Sequence, residues 1–313
     1  MVAIAFVFPG QGSQFVGMGR EFYDTDPECR RLFEEANEAL GQDLASLCFN
    51  GPEDELRLTA NTQPALLVHS TMALKRLIDH DIEFVLAAGH SLGEFSALVS
   101  AGSLAFADAV RLVRKRGTFM QEAVPVGIGA MAAILGLSLD RVQELCGRVS
   151  APDHLVQPAN LNSPEQIVIA GHKQAVEQVC QEAKASGAKR SVILPVSAPF
   201  HCPLMKPAEI RLKQELEQTE FRDLKVPVIT NVDARLNRSG AVARESLVRQ
   251  VCSPVRWVET MQVLVDEGID VVVEVGTGKV LSGLIRRYCP DITCYQVGDP
   301  ESLESTVAAL KAA

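Results

Sequence analysis

The chain has 313 residues, of which 47% are hydrophobic and 22% are charged, and its formal net charge is −9. This composition is typical of a globular protein that buries a sizeable core without disulfides or metals. The negative charge argues against general binding to nucleic acid or to an anionic membrane, because both partners require basic surface.

The first part of the chain alternates short apolar runs with amphipathic segments. Residues 3–8 and 84–88 are predicted strands, and residues 27–40 and 64–78 are predicted helices with a proline in the first turn. Residues 106–124 form a further predicted helix that carries a dense basic run. Strands that alternate with helices in this way favour a parallel sheet with crossover helices.

The pattern changes type after two glycines at positions 127 and 129. The following elements are predicted in the order strand 131–137, helix 140–149, strands 155–161 and 166–170, helix 173–186 and strand 191–196. This β-α-β-β-α-β order is typical of a ferredoxin-like unit. We therefore expect a small ferredoxin-like subdomain over residues 127–196, inserted into a larger one.

The rest of the chain returns to the earlier style. It contains a helix after His201 and then the following predicted elements: strand 226–230, helices 244–251 and 258–267, strand 271–275 and helix 279–288. The expected fold class is α/β, with a large parallel-sheet subdomain formed by residues 1–126 and 197–313.

Ser91 lies in the sequence Gly89-His90-Ser91-Leu92-Gly93, between a predicted strand and a helix-forming stretch. This order is that of a nucleophile elbow, in which a strained turn exposes a serine hydroxyl at the end of a sheet. The glycines fit because the backbone on either side of such a turn is crowded. The pattern predicts a serine nucleophile for acyl transfer or hydrolysis.

A serine nucleophile requires a base within hydrogen-bond reach, and the chain has six histidines. His201 lies between prolines at the predicted junction of the two subdomains, which makes it a candidate base. His90 flanks Ser91 but points the other way along the turn, so we expect it to brace the elbow. The four remaining histidines fit surface or core positions.

Six motifs then carry a resemblance that runs, in order and spacing, from the first strand to the last predicted helix. They are Phe8-Pro9-Gly10-Gln11-Gly12-Ser13-Gln14, Gly89 to Gly93 with Glu94, Arg116, Asn162-Ser163-Pro164, Phe200-His201-Cys202-Pro203 and Glu274-Val275-Gly276. Together they resemble the malonyl-CoA:acyl carrier protein transacylase family of type II fatty acid synthesis. The resemblance implies a large subdomain similar to the α/β-hydrolase fold beside the ferredoxin-like one.

The resemblance also implies a Ser91/His201 dyad in which the backbone carbonyl of Gln250 orients the histidine. A carbonyl that accepts from Nδ1–H leaves Nε2 free as the base. An alternative is that an acid, Asp266 or Asp270, completes a triad instead.

The backbone N–H groups of Gln11 and Leu92 are the implied oxyanion hole. The elbow independently supplies the second of these, because the residue after the nucleophile opens a helix and has a free N–H.

Arg116 is the residue to which the resemblance assigns the acyl carboxylate, since a guanidinium can clamp a carboxylate through two parallel hydrogen bonds. The alternative is a solvated helix face, and this interpretation is retained for Arg111, Arg114 and Lys115. Further candidates to line the site are Gln63, Asn160, Asn162 and Phe200. The resemblance further implies that Phe200, beside His201, leaves little room for a methyl-branched acyl group.

The implied reaction is a ping-pong transfer of malonyl from malonyl-CoA to the phosphopantetheine thiol of acyl carrier protein, through an ester on Ser91. It would supply extender units for fatty acid biosynthesis. Two other functions stay open from the residues alone: an ester or thioester hydrolase, and a carrier-docking module without catalysis.

The substrates would be CoA and carrier thioesters, and no bound cofactor, metal, nucleic acid or membrane is expected. The carrier is expected to be acidic and to dock transiently on a local basic patch formed by Arg114, Lys115, Lys189, Arg190 and Lys206. The eight cysteines lack metal-binding spacing and fit reduced, buried thiols. With no signal sequence or apolar stretch of about 20 residues, the sequence predicts a cytoplasmic protein.

Overall fold

Two separate sheets organise the computed structural model, which describes residues 2–196 and 198–312. The larger sheet has six strands, in the spatial order Thr293–Val297 (β10), Val271–Val275 (β9), Ile4–Phe8 (β1), Leu86–Gly89 (β2), Val228–Ile229 (β7) and Leu236–Asn237 (β8). All neighbouring strands are parallel except β7 and β8, which pair antiparallel. The parallel sheet expected from the sequence is therefore present.

The smaller sheet is antiparallel throughout. Its strands have the spatial order Val156–Ser163 (β4), Gln166–His172 (β5), Gly129–Leu135 (β3) and Arg190–Ile193 (β6). Helices Leu139–Val149 (α8) and Lys173–Ala185 (α9) pack on it through a separate apolar cluster. The elements follow one another along the chain in the β-α-β-β-α-β order that the sequence predicts.

Twelve further helices surround the larger sheet in the described ranges. They are Arg20–Thr25 (α1), Pro27–Leu40 (α2), Leu44–Asn50 (α3), Glu53–Arg57 (α4), Thr59–Asp79 (α5), Gly93–Ser100 (α6), Phe106–Glu122 (α7), Lys206–Glu217 (α10), Gly240–Gln250 (α11), Trp257–Asp266 (α12), Val280–Tyr288 (α13) and Pro300–Ala312 (α14). A 3₁₀ turn, Pro203–Met205, precedes α10. None of the helices within the described ranges is long and apolar enough to cross a membrane.

Both faces of the larger sheet are buried, and alternate residues of β1 show this directly. Phe6 and Phe8 belong to one apolar cluster, whereas Ala5 and Val7 belong to another. Successive side chains of a strand point to opposite faces, so each face of β1 packs against its own layer of helices.

Helix α5 differs from its prediction, because it begins at Thr59 rather than at Pro64 and so places the proline inside the helix. A proline has no N–H for the carbonyl of the residue four positions before it, which here is Ala60. That carbonyl accepts from Arg114 Nη1 instead, at 2.9 Å. An arginine from α7 thus satisfies the carbonyl group that the proline leaves free.

The sequence analysis also missed elements at one edge of the sheet, strand β10 and helix α14. Only Cys294 and Val297 of β10 are buried, and the strand shows no alternating apolar pattern. The predicted strand 84–88 begins two residues later, at Leu86, and Val85 is 52% exposed.

Backbone hydrogen bonds join the smaller sheet to the rest of the molecule. The N–H of Leu161 in β4 donates to the carbonyl of Val255, and the N–H of Val255 donates to the carbonyl of Ala159, both at 2.9 Å. Strand β4 is therefore bonded on one edge to β5 and on the other to the segment before α12. The predicted boundary residue Ser197 lies outside the described residues.

Helix α6 begins in direct contact with the end of β1. A Cβ atom added to Gly93 would lie 2.1 Å from the carbonyl oxygen of Phe8. A side chain would therefore push α6 away from the sheet at the turn that contains Ser91.

We expect Gly93→Ala to lower the free energy of unfolding by about 1 to 3 kcal/mol, because the added methyl group overlaps backbone that has no room to move. Gly147 is the matched control, since it is exposed on α8 and an added Cβ would meet nothing within 4 Å. Gly147→Ala should raise stability by about 0.5 to 1 kcal/mol. Urea unfolding measures the free energy of unfolding of both variants. A Gly93→Ala variant as stable as the parent would contradict the close packing.

Candidate active site

Ser91 occupies a tight turn between β2 and α6, in the predicted order of strand, turn and helix. Its backbone has φ +53°, in the left-handed region that side chains rarely adopt. This conformation costs about 1 to 2 kcal/mol for a residue other than glycine. The turn directs the hydroxyl group into a cavity between the larger sheet and the smaller one.

The hydroxyl of Ser91 lies 2.7 Å from Nε2 of His201. The other ring nitrogen, Nδ1, lies 2.9 Å from the backbone carbonyl of Gln250. Because a carbonyl only accepts, Nδ1 carries the hydrogen and the lone pair of Nε2 faces the hydroxyl. The geometry therefore has a serine donating to the unprotonated nitrogen of an oriented imidazole.

The two acids considered for a triad are engaged elsewhere. Asp266 accepts a hydrogen bond from Gln262 at 2.8 Å, and Asp270 accepts one from the backbone N–H of Ala3 at 2.8 Å. His201 Nδ1 thus faces a carbonyl rather than a carboxylate.

Burial is the main influence on the protonation of His201, which is only 3% exposed. Burial and the nearby positive charge of Arg116 lower the pKa of His201 to about 3, against a smaller opposing effect of the Gln250 carbonyl. The imidazole is consequently neutral near pH 7 and able to accept a proton.

Arg116 lies on α7 and is 2% exposed, so it is the residue of the basic run that points inward. Its Nη2 donates to Ser91 Oγ at 3.1 Å and to Gln250 Oε1 at 2.9 Å, and its Nη1 donates to Gln63 Oε1 at 2.8 Å. Its Nε has no partner among the described residues. Burial lowers the pKa of Arg116 to about 10, which still leaves it charged near pH 7.

The other basic residues of α7 face outward or support neighbouring helices. Arg111 pairs with Asp108, and Lys115 pairs with Glu215. Arg114 was expected in a docking patch, but it is half-buried and donates to Asn61 and to the carbonyl of Ala60. Arg114 therefore supports α5, and it is not a free surface cation that could bind an acidic partner.

Two residues with free backbone donors line the same cavity as Ser91. The N–H groups of Gln11 and Leu92 have no hydrogen-bond acceptor within residues 2–196 and 198–312, and both residues line the cavity. Gln11 follows β1, whereas Leu92 opens α6. Free N–H groups at this place are suited to an oxygen that becomes negative during a reaction.

The cavity wall is apolar on the side of the smaller sheet and the following segment. The apolar side chains on that side are Met131, Leu194, Val196 and Phe200, and Met120 of α7 also lines the cavity. Gln63 and Asn160, two of the candidates named from the sequence, also line the cavity. Apolar walls with a few convergent polar groups are typical of small-molecule sites.

Asn162 is not among the cavity-lining residues, but it contacts His90, which is one of them. Its Oδ1 accepts from His90 Nε2 at 2.8 Å, and the His90 ring lies 5.5 Å from that of Trp257. His90 therefore braces the elbow against β4, as its position in the motif predicted.

Sequence reasoning missed Asn231, which is fully buried and follows β7. Its side-chain Oδ1 accepts from the backbone N–H of Ser91 at 2.6 Å. The available signal was its position, since the carboxyl ends of neighbouring parallel strands meet at one edge of a sheet.

Glu94 is a second buried group behind the nucleophile. Its Oε2 accepts from Gln250 Nε2 at 2.6 Å and from the backbone N–H of Asn231 at 3.1 Å. Burial raises the pKa of Glu94 to about 7. Glu94, Gln250 and Asn231 thus form one polar network beneath Ser91.

Within the described ranges, no group of three or more His, Cys, Asp or Glu side chains is placed to hold a metal ion. All eight cysteines are free thiols, and seven of them are buried.

The model of the acyl transferase domain family matches residues 5–289. The malonyl CoA-acyl carrier protein transacylase of Bacillus subtilis is 49% identical over 311 residues, which cover 99% of this chain and 98% of that protein. The enzyme of the same name from Escherichia coli K12 is 47% identical over 309 residues, which cover 98% of this chain and 99% of that protein.

Solved structures give the same result. The structure of the malonyl CoA-acyl carrier protein transacylase from Coxiella burnetii has a TM-score of 0.96 at 42% identity, covering 99% of this chain and 98% of that one. A complex of a type II PKS acyl-carrier protein with its malonyl-transacylase matches at a TM-score of 0.95 and 44% identity, covering 98% of this chain and 99% of that one. The chain therefore belongs to the acyl transferase domain family and, within it, to the malonyl CoA-acyl carrier protein transacylases.

Proposed function

We propose that the protein transfers a malonyl group from malonyl-CoA to the phosphopantetheine thiol of an acyl carrier protein, through a malonyl ester on Ser91. The observation that carries this proposal is the buried Arg116 guanidinium 3.1 Å from Ser91 Oγ. A nucleophile beside a buried cation suits an acyl group that ends in a carboxylate. The names of the relatives support the same substrates, and the reaction would supply extender units for fatty acid synthesis.

In the first half-reaction, His201 Nε2 accepts the proton of the Ser91 hydroxyl while Oγ attacks the thioester carbonyl. The carbonyl oxygen becomes negative and accepts from the N–H groups of Gln11 and Leu92. When the carbon–sulfur bond breaks, the protonated His201 returns its proton to the CoA thiolate.

The second half-reaction reverses these steps with a different thiol. His201 accepts the proton of the carrier thiol, whose sulfur attacks the ester carbonyl. The ester bond breaks, and His201 reprotonates Ser91 Oγ. The free enzyme is restored with no net proton change.

The hydrogen-bond pattern of Arg116 supports its role in selecting the acyl group. In the free enzyme, Nη2 donates one hydrogen bond to Ser91 and one to Gln250, and Nη1 donates one to Gln63. Nη1 therefore keeps one free hydrogen, and esterification makes Ser91 Oγ a weaker acceptor for one hydrogen of Nη2. These two N–H groups are suited to the parallel bonds that a carboxylate accepts.

We further propose the division of the chain into a large α/β-hydrolase-like subdomain, residues 1–126 and 197–313, and a small ferredoxin-like one, residues 127–196. The strand order of the smaller sheet and its separate apolar cluster support this division. The free thiols support a reducing compartment, the cytoplasm, as the site of the reaction. All steps above use side chains and backbone alone, so the proposal includes no cofactor.

For the carrier, we propose transient docking at the edge strand β6, which leads directly to the cavity residues Leu194 and Val196. Arg190 on this strand is exposed. Two other residues of the expected basic patch have acidic partners, since Lys189 pairs with Glu165 and Lys206 with Glu209. Arg190 is accordingly the favoured contact for an acidic carrier.

Incubation with malonyl-CoA and no acceptor should add one malonyl group to the protein, located on Ser91 by peptide mass spectrometry. Ser91→Ala should gain nothing because the attacking oxygen is gone. Ser100→Ala is the matched control, since Ser100 lies at the end of α6, the helix that follows Ser91, and its hydroxyl bonds only locally, to the carbonyl of Ala97. Rapid release of free malonate, with no adduct at any time, would indicate a hydrolase and contradict the proposal.

Arg116→Ala should cost malonyl transfer about 2 to 5 kcal/mol in kcat/KM, the scale for removing one partner of a buried charge pair. Acetyl transfer should fall much less, because an acetyl group has no carboxylate. Arg111→Ala on the exposed face of the same helix is the control and should change neither rate. An equal loss of malonyl and acetyl transfer would mean that Arg116 does not select the acyl group.

Arg190→Glu should lower kcat/KM for the carrier by about two- to fivefold, the size of one exposed ion pair, and leave the CoA half-reaction unchanged. High salt should remove the difference. Lys311→Glu makes the same charge change on the remote helix α14 and should have no effect. Docking at β6 is wrong if the two variants have the same kcat/KM for the carrier.

A further inference from the structure

The strained turn at Ser91 leaves a backbone N–H that neither β2 nor α6 satisfies. Ser91 is one of four non-glycine residues with positive φ in the described part of the chain. A residue in this region keeps its conformation only when its surroundings hold it there. Here the N–H of Ser91 donates to Asn231 Oδ1 at 2.6 Å.

The side chain of Asn231 also binds the other end of the turn. Its Nδ2 donates to the carbonyl of Gly89 at 2.6 Å, so one amide joins two residues on either side of His90. An asparagine amide supplies an acceptor and a donor side by side, which this turn requires. The side chain is fully buried, so no water competes for these bonds.

The backbone of Asn231 is fixed as firmly as its side chain. Its N–H donates to Glu94 Oε2 at 3.1 Å, and its carbonyl accepts from the N–H of Arg256 at 3.1 Å. All four polar groups of Asn231 are therefore bonded. Asn231 connects the end of β7 to the turn at the end of the neighbouring strand β2.

We propose that Asn231 is a positioning residue for the nucleophile: it holds the left-handed turn that sets Ser91 Oγ 2.7 Å from His201 Nε2. This inference rests on the proposed role of Ser91 as the acyl acceptor. Without the amide, the turn can relax toward an ordinary conformation, and the hydroxyl moves away from both His201 and Arg116. A displacement of about 1 Å in such a group is enough for a loss of about 100-fold.

Asn231→Ala should therefore lower the rate constant for malonyl loading by about 100-fold, with KM for malonyl-CoA little changed. Reaction of Ser91 with phenylmethylsulfonyl fluoride should slow in parallel, because this probe reports the hydroxyl without the CoA substrate. Asn237→Ala is the matched control, since Asn237 is also buried and bonds to the nearby backbone of Ser239. It should leave both rates unchanged.

Asn231→Asp provides a second test that does not depend on the stability of the alanine variant. A protonated aspartic acid reproduces both bonds, with its hydroxyl donating to Gly89 and its carbonyl accepting from Ser91. An ionised one has no donor for Gly89 and lies beside Glu94. The ratio of variant to parent loading should therefore rise as the pH falls, because protonation of the aspartate restores the donor to Gly89.

The results separate the inference from the function on which it rests. If the parent reacts with the sulfonyl fluoride but forms no malonyl adduct, the proposed function fails while the role of Asn231 is still tested by the probe. If folded Asn231→Ala loads and reacts within about threefold of the parent, the positioning role is wrong. A constant ratio for Asn231→Asp across pH would overturn it as well.

Discussion

The hydrogen bond between Ser91 Oγ and His201 Nε2 joins residues that lie 110 positions apart in the chain. Each has a left-handed backbone, with φ +53° at Ser91 and +59° at His201, so each depends on its surroundings for its position. Asn231 binds the turn at Ser91, whereas Gln157 of β4 donates to the His201 carbonyl at 3.0 Å. The packing of the smaller sheet against the rest of the molecule thus serves the site directly, because each strained residue is held by a side chain from a different part of the fold.

Electrostatics connects the base with the group proposed to bind the substrate. The charge of Arg116 contributes to the low pKa of His201, which keeps the imidazole neutral in the free enzyme. In the proposed acyl-enzyme, the malonyl carboxylate would offset that charge and thereby raise the basicity of His201. The histidine would then be the stronger base in the state that must deprotonate the carrier thiol.

The sequence was informative where function depends on local pattern. Ser91 and Gly93 follow from a strand, a turn and a helix, and the inward position of Arg116 agrees with the resemblance. Asn231 was missed because its partners, Ser91 and Gly89, lie about 140 residues away, and only the parallel pairing of β2 and β7 brings them together. The early start of α5 was missed for a similar reason, since Arg114 from another helix satisfies the carbonyl that Pro64 leaves free.

Isotope exchange tests the central claim, that Ser91 and His201 form a reversible acyl carrier in a buried site. The enzyme is mixed with malonyl-CoA and labelled free CoA, with no carrier protein present. The ping-pong scheme predicts that label enters malonyl-CoA much faster than free malonate appears, because the ester on Ser91 returns its acyl group to the CoA thiol. No exchange, or release of malonate at the same rate as exchange, would contradict the account.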